Sequence, residues 1–278
     1  MKTKPFFAAM LVVCIIVIFA ASVSAAEHKV GVMSQLNLTA EQFRDFVESN
    51  CEQGKIQRFW AGEPHKGIAV YYDSLVAMQM ALNAGEVDEI VLPEPVAEYF
   101  MNVTKGYEIS TITREQPVYL ALGFRKGDDP ALRNRFNEAL LSMKADSMLA
   151  ILVDKYIASA GIDEPEPVKF GKYDNIDTTI KVAVTGDLPP IDYIAPDGTP
   201  AGFNTAVLAE LAKRMKVNIE LVNIEAGARA AALASKRVDA VFWFKYRKDV
   251  EVQPDIPEGV VLSETYYSWN EFLLIKKK

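Results

Sequence analysis

Strand-like and helix-like segments alternate along most of the chain, and this alternation constrains the fold more than any other feature. The apolar run Gly67–Tyr72 is followed by a helix-like segment that closes at Gly85, a typical C-terminal residue of a helix. Thr39 has the spacing of a capping box before the helix predicted at Ala40–Asn50. Repeated strand–helix–strand units of this kind predict an α/β fold in which helices cover both faces of mainly parallel sheets.

The remaining predicted elements continue this alternation on both sides of one polar segment. Predicted strands and extended runs lie at Lys29–Met33, Val87–Leu92, Thr113–Phe124, Ile180–Thr185, Val217–Val222, Val238–Phe244 and Tyr266–Ile275. Predicted helices lie at Pro95–Met101, Pro130–Ala160 (as one helix or two), Phe203–Met215 and Ala226–Lys236. Between them, Gly161–Thr178 is polar, contains two prolines and has no helical periodicity, which is typical of a linker.

The amino-terminal residues have the pattern of a secretory signal peptide. Lys2 and Lys4 precede an apolar run at residues 5–21, and small residues follow at 24–26. This pattern predicts export to the periplasm, with cleavage near Ala26. The alternative is a retained membrane anchor, although the apolar run is short for a membrane-spanning helix.

Composition argues against several classes of function. The chain has 30 Lys and Arg against 37 Asp and Glu, and its cations are scattered, which disfavours nucleic-acid binding. Two His and two Cys provide little material for a metal site, so we expect no metal and no cofactor. Loss of Cys14 with the signal peptide leaves Cys51 alone. It is either a reactive nucleophile or an inert thiol, and no internal disulfide is possible.

An ordered set of segments in the second half resembles the opening of one protein family. The segment KVAVTGDLPPIDYIAPDGTPAGFNTAVLAELAKRM (Lys181–Met215) contains the strand, Pro-Pro turn, D-G turn and G-F helix start of that opening. The segments Ala232–Phe242 and Ser263–Lys277 follow in the same order. Together they resemble bacterial extracellular solute-binding proteins, in the amino-acid-binding branch with the type II periplasmic binding fold.

The first half resembles the later part of the same family, which suggests a circularly permuted chain. The segments that carry this resemblance are Lys29–Phe43, Tyr71–Phe100 and Leu120–Ile157. The resemblance implies a second lobe at residues 27–115 plus 270–278, a first lobe at 116–160 plus 178–269, and a linker at 161–177. The alternative is two incomplete modules exchanged between chains. Permutation within one chain requires strands 29–33 and 271–276 to share a sheet.

The resemblance implies a receptor that binds a small polar solute between two lobes and delivers it to the membrane permease of an ABC-type importer. The solute expected is an amino acid or a related carboxylate. Closure would occur about two hinges, at Thr113–Leu122 and Ser263–Phe272. Such a receptor is expected to be a monomer that carries out no catalysis. Two alternatives remain, a dehydratase-like enzyme on the same scaffold and a sensory binding protein.

Candidate ligand-binding residues in the first lobe lie at predicted strand ends. Asp187 is suited to accept a hydrogen bond from the ammonium group of a ligand. Its alternative role is to stabilise the turn before Pro-Pro. Tyr193 and Trp243 are candidates for stacking on a ligand, and each has core packing as its alternative. Arg247 lies nearest the position where the family clamps a ligand carboxylate, or else belongs to a solvated basic run.

The second lobe and the crossover provide the other candidates, which are Ser34, Thr39, Glu94, Tyr266 and Trp269. Ser34 and Thr39 flank a predicted helix start, where free amides attract anions, although capping alone explains Thr39. Pro93 stands where amino-acid binders of the family usually place an Asp, with Glu94 as its neighbour. A ligand that lacks an ammonium group, or one held mainly by Trp243 and Trp269, therefore fits this sequence better than a standard α-amino acid.

Overall fold

The computed structural model describes residues 28–34, 40–52, 67–163, 167–174 and 179–278. The predicted signal peptide and Thr39 lie outside these ranges. No helix in the described part of the chain is both long and apolar enough to cross a membrane.

The described ranges contain eleven strands and seven α-helices. The strands are β1 (His28–Met33), β2 (Gly67–Tyr72), β3 (Glu89–Pro93), β4 (Tyr107–Arg125), β5 (Thr179–Val184), β6 (Asp187–Leu188), β7 (Asp192–Ile194), β8 (Pro200–Ala201), β9 (Asn218–Asn223), β10 (Ala240–Arg247) and β11 (Val260–Lys277). The helices are α1 (Ala40–Glu52), α2 (Leu75–Ala84), α3 (Glu94–Val103), α4 (Ala131–Ala145), α5 (Met148–Val153), α6 (Phe203–Met215) and α7 (Arg229–Ala234). The predicted α/β class is confirmed.

Eight strands form one continuous sheet, in the order β2-β1-β3-β11-β4-β10-β5-β9. The three strands at each end run parallel to one another, and we call the β2-β1-β3 end the second lobe and the β10-β5-β9 end the first lobe. Between them, the long strands β4 and β11 pair antiparallel with each other along both lobes. Each also pairs antiparallel with its outer neighbour, β11 with β3 and β4 with β10.

This pairing places the amino-terminal and carboxy-terminal strands in one sheet of one chain. Strand β1 pairs with β3, and β3 pairs with Phe272–Ile275 of β11. That connection is the one expected of a permuted chain that closes on itself. The permuted order and the lobe boundaries remain predictions.

The two predicted hinge segments lie within β4 and β11 as continuous strand rather than as separate connectors.

Several element boundaries differ from those predicted. The predicted helix at 226–236 is a 3₁₀ turn (Ala226–Ala228) followed by the short α7. The predicted helical region at 130–160 divides into α4, α5 and a π-helical turn, Asp154–Ala158. The break follows α4 because the Asp146 side chain accepts from the Met148 N–H and thereby closes a local turn. Strand β10 continues to Arg247, because its second half pairs with β4.

Helices and sheet enclose a core that runs through both lobes. Met78 and Leu92 of the second lobe belong to the same buried cluster as Phe203 and Phe242 of the first. Leu120, in the shared strand β4, joins the two groups and is fully buried. Apolar burial on this scale is the main source of stability for the described part of the chain.

Gly202 fixes the entry of the chain into α6. It has a φ of 96°, and a Cβ at this position would lie 2.6 Å from the carbonyl oxygen of Pro190. That carbonyl accepts from the Phe203 N–H, which holds the start of α6 against the Pro-Pro turn. Any side chain at residue 202 must therefore break this contact.

We expect Gly202→Ala to lower the free energy of unfolding by about 2–3 kcal/mol, since it combines an unfavourable φ with a backbone clash. Urea unfolding measures this loss. Gly198→Ala is the matched control, because Gly198 has a φ of 85° but open space around its Cβ position. Equal losses in the two variants would show that the clash contributes nothing.

Candidate functional site

The carboxyl end of β5 faces a small antiparallel sheet formed by β6, β7 and β8. In this sheet Asp187 lies opposite Tyr193, so two predicted site residues are neighbours in register. Strand β6 also contacts α2 of the second lobe. The region is therefore a junction between the lobes at the carboxyl ends of parallel strands, which is where open α/β sheets bind ligands.

Asp192 is the centre of the polar contacts in this region. It is fully buried, and its Oδ2 accepts from the Thr185 N–H (3.0 Å), the Thr185 hydroxyl (3.2 Å) and the Trp243 indole N–H (3.2 Å). Its Oδ1 accepts from the Gly186 N–H at 3.2 Å. Burial raises the pKa of Asp192, although the hydrogen bonds from Thr185 and Gly186 act in the opposite direction. One buried carboxyl group thus joins β5, β7 and β10.

Trp243 is held by this carboxyl group on one side and by an arginine on the other. It has a φ of 81° at an irregularity in the pairing of β10 with β4. The Arg229 guanidinium carbon lies 4.5 Å from the centroid of the Trp243 ring, and its Nη1 donates to the Trp243 carbonyl oxygen. Trp243 is therefore buried and fixed in both ring and backbone.

Behind Trp243 lies a buried group of charges. Arg229 is 2% exposed, and its Nη2 lies 3.7 Å from Oδ1 of Asp255, which is also buried. The other Asp255 oxygen accepts from the Lys245 backbone N–H at 2.9 Å. Desolvation lowers the pKa of the Lys245 ammonium group, with Asp255 acting against this shift. The side chains of Arg229 and Asp255 therefore fix the backbone of β10 at Trp243 and Lys245.

Tyr266 lies on the other side of this group, at the centre of β11. Its ring stacks on Phe242 with 4.8 Å between centroids, and its hydroxyl donates to Oδ1 of Asn204 at 3.1 Å. Burial raises its pKa well above the usual value, and the negative charge of Asp192 adds to the shift. Tyr266 therefore stays a neutral hydroxyl that is already hydrogen-bonded within the protein.

The second lobe contributes residues at the ends of β1 and β3. The Ser34 backbone N–H donates to the Tyr72 carbonyl oxygen, which fixes the end of β1 beside β2. Glu94 is the first residue of α3 and does not continue β3, in contrast to its predicted place at a strand end. Helix α3 packs against β11, and burial raises the pKa of Tyr267 on that strand, with the carboxylates of Glu94 and Glu98 raising it further.

Arg247 lies within β10 rather than after the strand. Its Nε and Nη2 donate to the two carboxylate oxygens of Asp249 at 3.1 and 2.9 Å, and its backbone N–H donates to Gln253. The bidentate edge of Arg247 is therefore occupied by Asp249 in this structure. Release from Asp249 would be needed before this edge could clamp a ligand carboxylate.

The structure brings together some of the predicted residues and adds others. Asp187, Tyr193, Trp243 and Tyr266 gather around Asp192, whereas Glu94 and Trp269 lie where β11 passes between the lobes. The main residues that the sequence analysis missed are Asp192, Arg229, Asn204 and Asp255. A weak sequence signal existed for Asp192 alone, as a charged residue between Ile191 and Tyr193 in a strand-like run.

Comparisons with known proteins give one family match. Residues 180–277 match the family described as bacterial extracellular solute-binding proteins, family 3. This segment contains α6, the Asp192–Trp243 contact and the strand β11. A search of curated proteins found no match.

Solved structures with a related arrangement have low sequence identity to this chain. The ligand-binding component of an ABC-type import system from Staphylococcus aureus has 10% identity and a TM-score of 0.44, over 90% of this chain and 65% of that one. The GluR0 ligand-binding core, in complex with L-glutamate, has 12% identity and a TM-score of 0.41, over 92% and 86%. The periplasmic aliphatic sulphonate binding protein of Escherichia coli has 10% identity and a TM-score of 0.41, over 91% and 61%. This chain thus spans less than two thirds of the S. aureus and E. coli proteins.

The family match covers the segment in which the sequence carries the Pro-Pro turn, the D-G turn and the G-F helix start. In the structure these features form the small sheet and the start of α6, next to Asp192. The resemblance inferred from the sequence is confirmed by this match, which places residues 180–277 among segments similar to the bacterial extracellular solute-binding proteins of family 3.

Proposed function

We propose that this protein is an extracytoplasmic receptor that binds a small polar solute between its two lobes and releases it unchanged. The observation that carries the proposal is the family 3 match of residues 180–277. This segment supplies most of the first lobe and the strand β11 that joins it to the second. Its buried carboxyl group, Asp192, accepts from Trp243 of β10 and lies next to the small sheet whose strand β6 contacts α2 of the second lobe.

The proposed ligand is an amino acid or a related carboxylate, and the proposed partner is the membrane permease of an ABC-type importer. Asp187, Tyr193 and Trp243 would form the first-lobe side of the site, with Tyr266 behind them. Ser34, Thr39, Glu94 and Trp269 would form the opposite side and the crossover, and Arg247 would clamp a carboxylate after release from Asp249. We also propose that the protein is a monomer, and that it is exported to the periplasm after its signal peptide is cleaved near Ala26.

A ligand screen tests the proposal directly. Protein purified without denaturation is analysed by native mass spectrometry for a retained solute, and then heated with amino acids, organic acids and short peptides. A ligand at a hundred times its Kd should stabilise the folded state by about 2.7 kcal/mol. For a chain of this size, that corresponds to a rise in Tm of about 5–10 °C.

Two variants locate the site. Trp243→Ala should abolish the ligand-induced rise in Tm, because it removes the buried ring that lies beside Asp192 at the lobe junction. Asp187→Asn provides a milder change at a half-buried position and should weaken binding while the Tm of the ligand-free protein stays within about 1 °C of wild type. The exposed Glu258→Gln variant is the control and should bind normally. Normal binding by both site variants would disprove this location.

The same experiment distinguishes a receptor from an enzyme. After incubation, mass spectrometry should recover each stabilising compound with its mass unchanged. Chemical conversion of a bound compound would contradict the receptor proposal and favour a dehydratase-like activity, for which Asp187 and Glu94 are the candidate acid or base.

A further inference from the structure

Trp269 is a buried donor without an acceptor. Its side chain is 4% exposed, and its indole N–H has no hydrogen-bond partner among the residues that the structure describes. The contrast with Trp243 is direct, since the Trp243 indole donates to Asp192 at 3.2 Å. Buried tryptophans usually place their N–H against an acceptor, so the isolation of Trp269 needs an explanation.

A second buried donor of this kind lies in the same aromatic group. Asn204 is fully buried, and its Oδ1 accepts from Tyr266, but its Nδ2 has no partner in the described part of the chain. The ring of the adjacent Phe203 lies 5.1 Å from that of Tyr267, and Tyr267 lies 6.2 Å from Trp269. One set of aromatic side chains therefore connects the two donors.

Both donors lie where the lobes meet. Asn204 is near the start of α6 in the first lobe, and Trp269 is on β11 just before this strand begins its pairing with β3 of the second lobe. An unpaired donor buried in the folded state costs about 1–3 kcal/mol. Two unpaired donors lie beside the proposed ligand cleft. This suggests that a ligand provides the acceptor that the described residues do not.

The charges nearby restrict the chemistry of that acceptor. Glu94 and Glu98 lie on α3, which packs against β11. Burial raises the pKa of Tyr267, whose ring lies beside that of Trp269, and the negative charges of these two carboxylates raise it further. A ligand carboxylate placed at Trp269 would experience the same repulsion, and the two donors themselves are neutral. Hydrogen bonding to a neutral oxygen avoids this repulsion and still satisfies the buried N–H groups.

We propose that Trp269, with Asn204 as its companion, binds an uncharged acceptor oxygen of the solute, such as an amide carbonyl or a hydroxyl. This inference rests on the proposed receptor function and narrows its ligand class. A carboxylate of the same solute would lie elsewhere in the cleft. The geometry makes Trp269 a specificity residue, because its N–H is satisfied only in the complex.

The first test compares two Trp→Phe variants in the absence of ligand. Trp269→Phe and Trp243→Phe remove the same volume and the same N–H group, but among the described residues only Trp243 has an acceptor. We therefore expect the Tm of Trp269→Phe to remain within about 2 °C of wild type, and that of Trp243→Phe to fall several degrees lower. Equal losses would show that the Trp269 N–H is already satisfied, for instance by an internal water, and would overturn the proposal.

The second test uses matched probes on the same proteins. The probes are two pairs, L-glutamine with L-glutamate and L-asparagine with L-aspartate. Within each pair, one member ends in an amide and the other in a carboxylate. Calorimetric titration should show tighter binding of the amide member to wild type, and Trp269→Phe should weaken that binding about five- to tenfold. Stabilisation of wild type and Trp269→Phe by the same probe to the same extent would refute the role of Trp269 and leave the receptor function intact. Failure of all four probes and of the wider screen to bind wild type would instead refute the receptor function.

Discussion

Asp192→Ala is expected to lower the free energy of unfolding by about 3–5 kcal/mol, because it leaves up to four donors without their shared acceptor. These donors are two backbone N–H groups, one hydroxyl and one indole N–H, from Thr185, Gly186 and Trp243. Ligand binding should be lost as well, since the same contacts fix Trp243 at the lobe junction. Urea unfolding at constant pH measures the change in stability.

Asp192→Asn separates the hydrogen bonds from the effect of side-chain size. Its amide oxygen can face the three donors around Oδ2, while its NH₂ group faces only the Gly186 N–H. We therefore expect a loss between those of Asp192→Ala and Asp187→Ala, the latter being a half-buried control on the neighbouring strand. An Asn variant as unstable as the Ala variant would show that the charge of Asp192, rather than its set of acceptor contacts, stabilises the fold.

Arg229→Met should also cost about 3–5 kcal/mol, since it removes one partner of a buried ion pair while keeping most of the apolar volume. The Asp255 carboxylate, 2% exposed, would lose the guanidinium at 3.7 Å, and the Trp243 carbonyl would lose its donor. A fall in Tm of about 6–20 °C corresponds to this loss. Heat denaturation followed by circular dichroism measures it.

The double variant Arg229→Met/Asp255→Asn identifies the cause. If the cost arises from an uncompensated charge, neutralising Asp255 should restore part of the stability lost in Arg229→Met, and the cycle should give a coupling of about 1–3 kcal/mol. Additive losses would mean that Arg229 acts through its packing on Trp243 and Phe244 alone, with ring distances of 4.5 and 5.3 Å.

These contacts suggest how the first lobe is prepared for binding. Asp192 and Arg229 hold opposite sides of Trp243, so the ring does not need to be ordered when a ligand arrives. Pre-ordering of this kind lowers the entropic cost of association. Trp269 differs in this respect, because its N–H is fixed by packing but has no acceptor in the part of the chain that the structure describes. The two tryptophans would thus serve as a fixed wall and as a selective donor in the proposed site.

Much of the secondary structure could be predicted from the sequence. The bounds of β2 and α6 agree with the predicted segments, and Ser74 and Gly85 cap α2 as local sequence rules require. The family resemblance rested on turn and glycine positions that are local in sequence. Long-range features were harder to predict from the sequence. The continuous pairing of β4 with β11, for example, joins residues as far apart as Tyr107 and Lys277.

The sequence by itself determined the alternation of strands and helices, their order, and the resemblance of residues 180–277 to one family. The tertiary structure alone decided that both lobes share one sheet and that Asp192 and Arg229 surround Trp243. The physical reason is that a strand or a cap depends on neighbours a few residues away, whereas the environment of a buried charge depends on distant partners. Trp243 lies 51 positions from Asp192, and no local pattern encodes that contact.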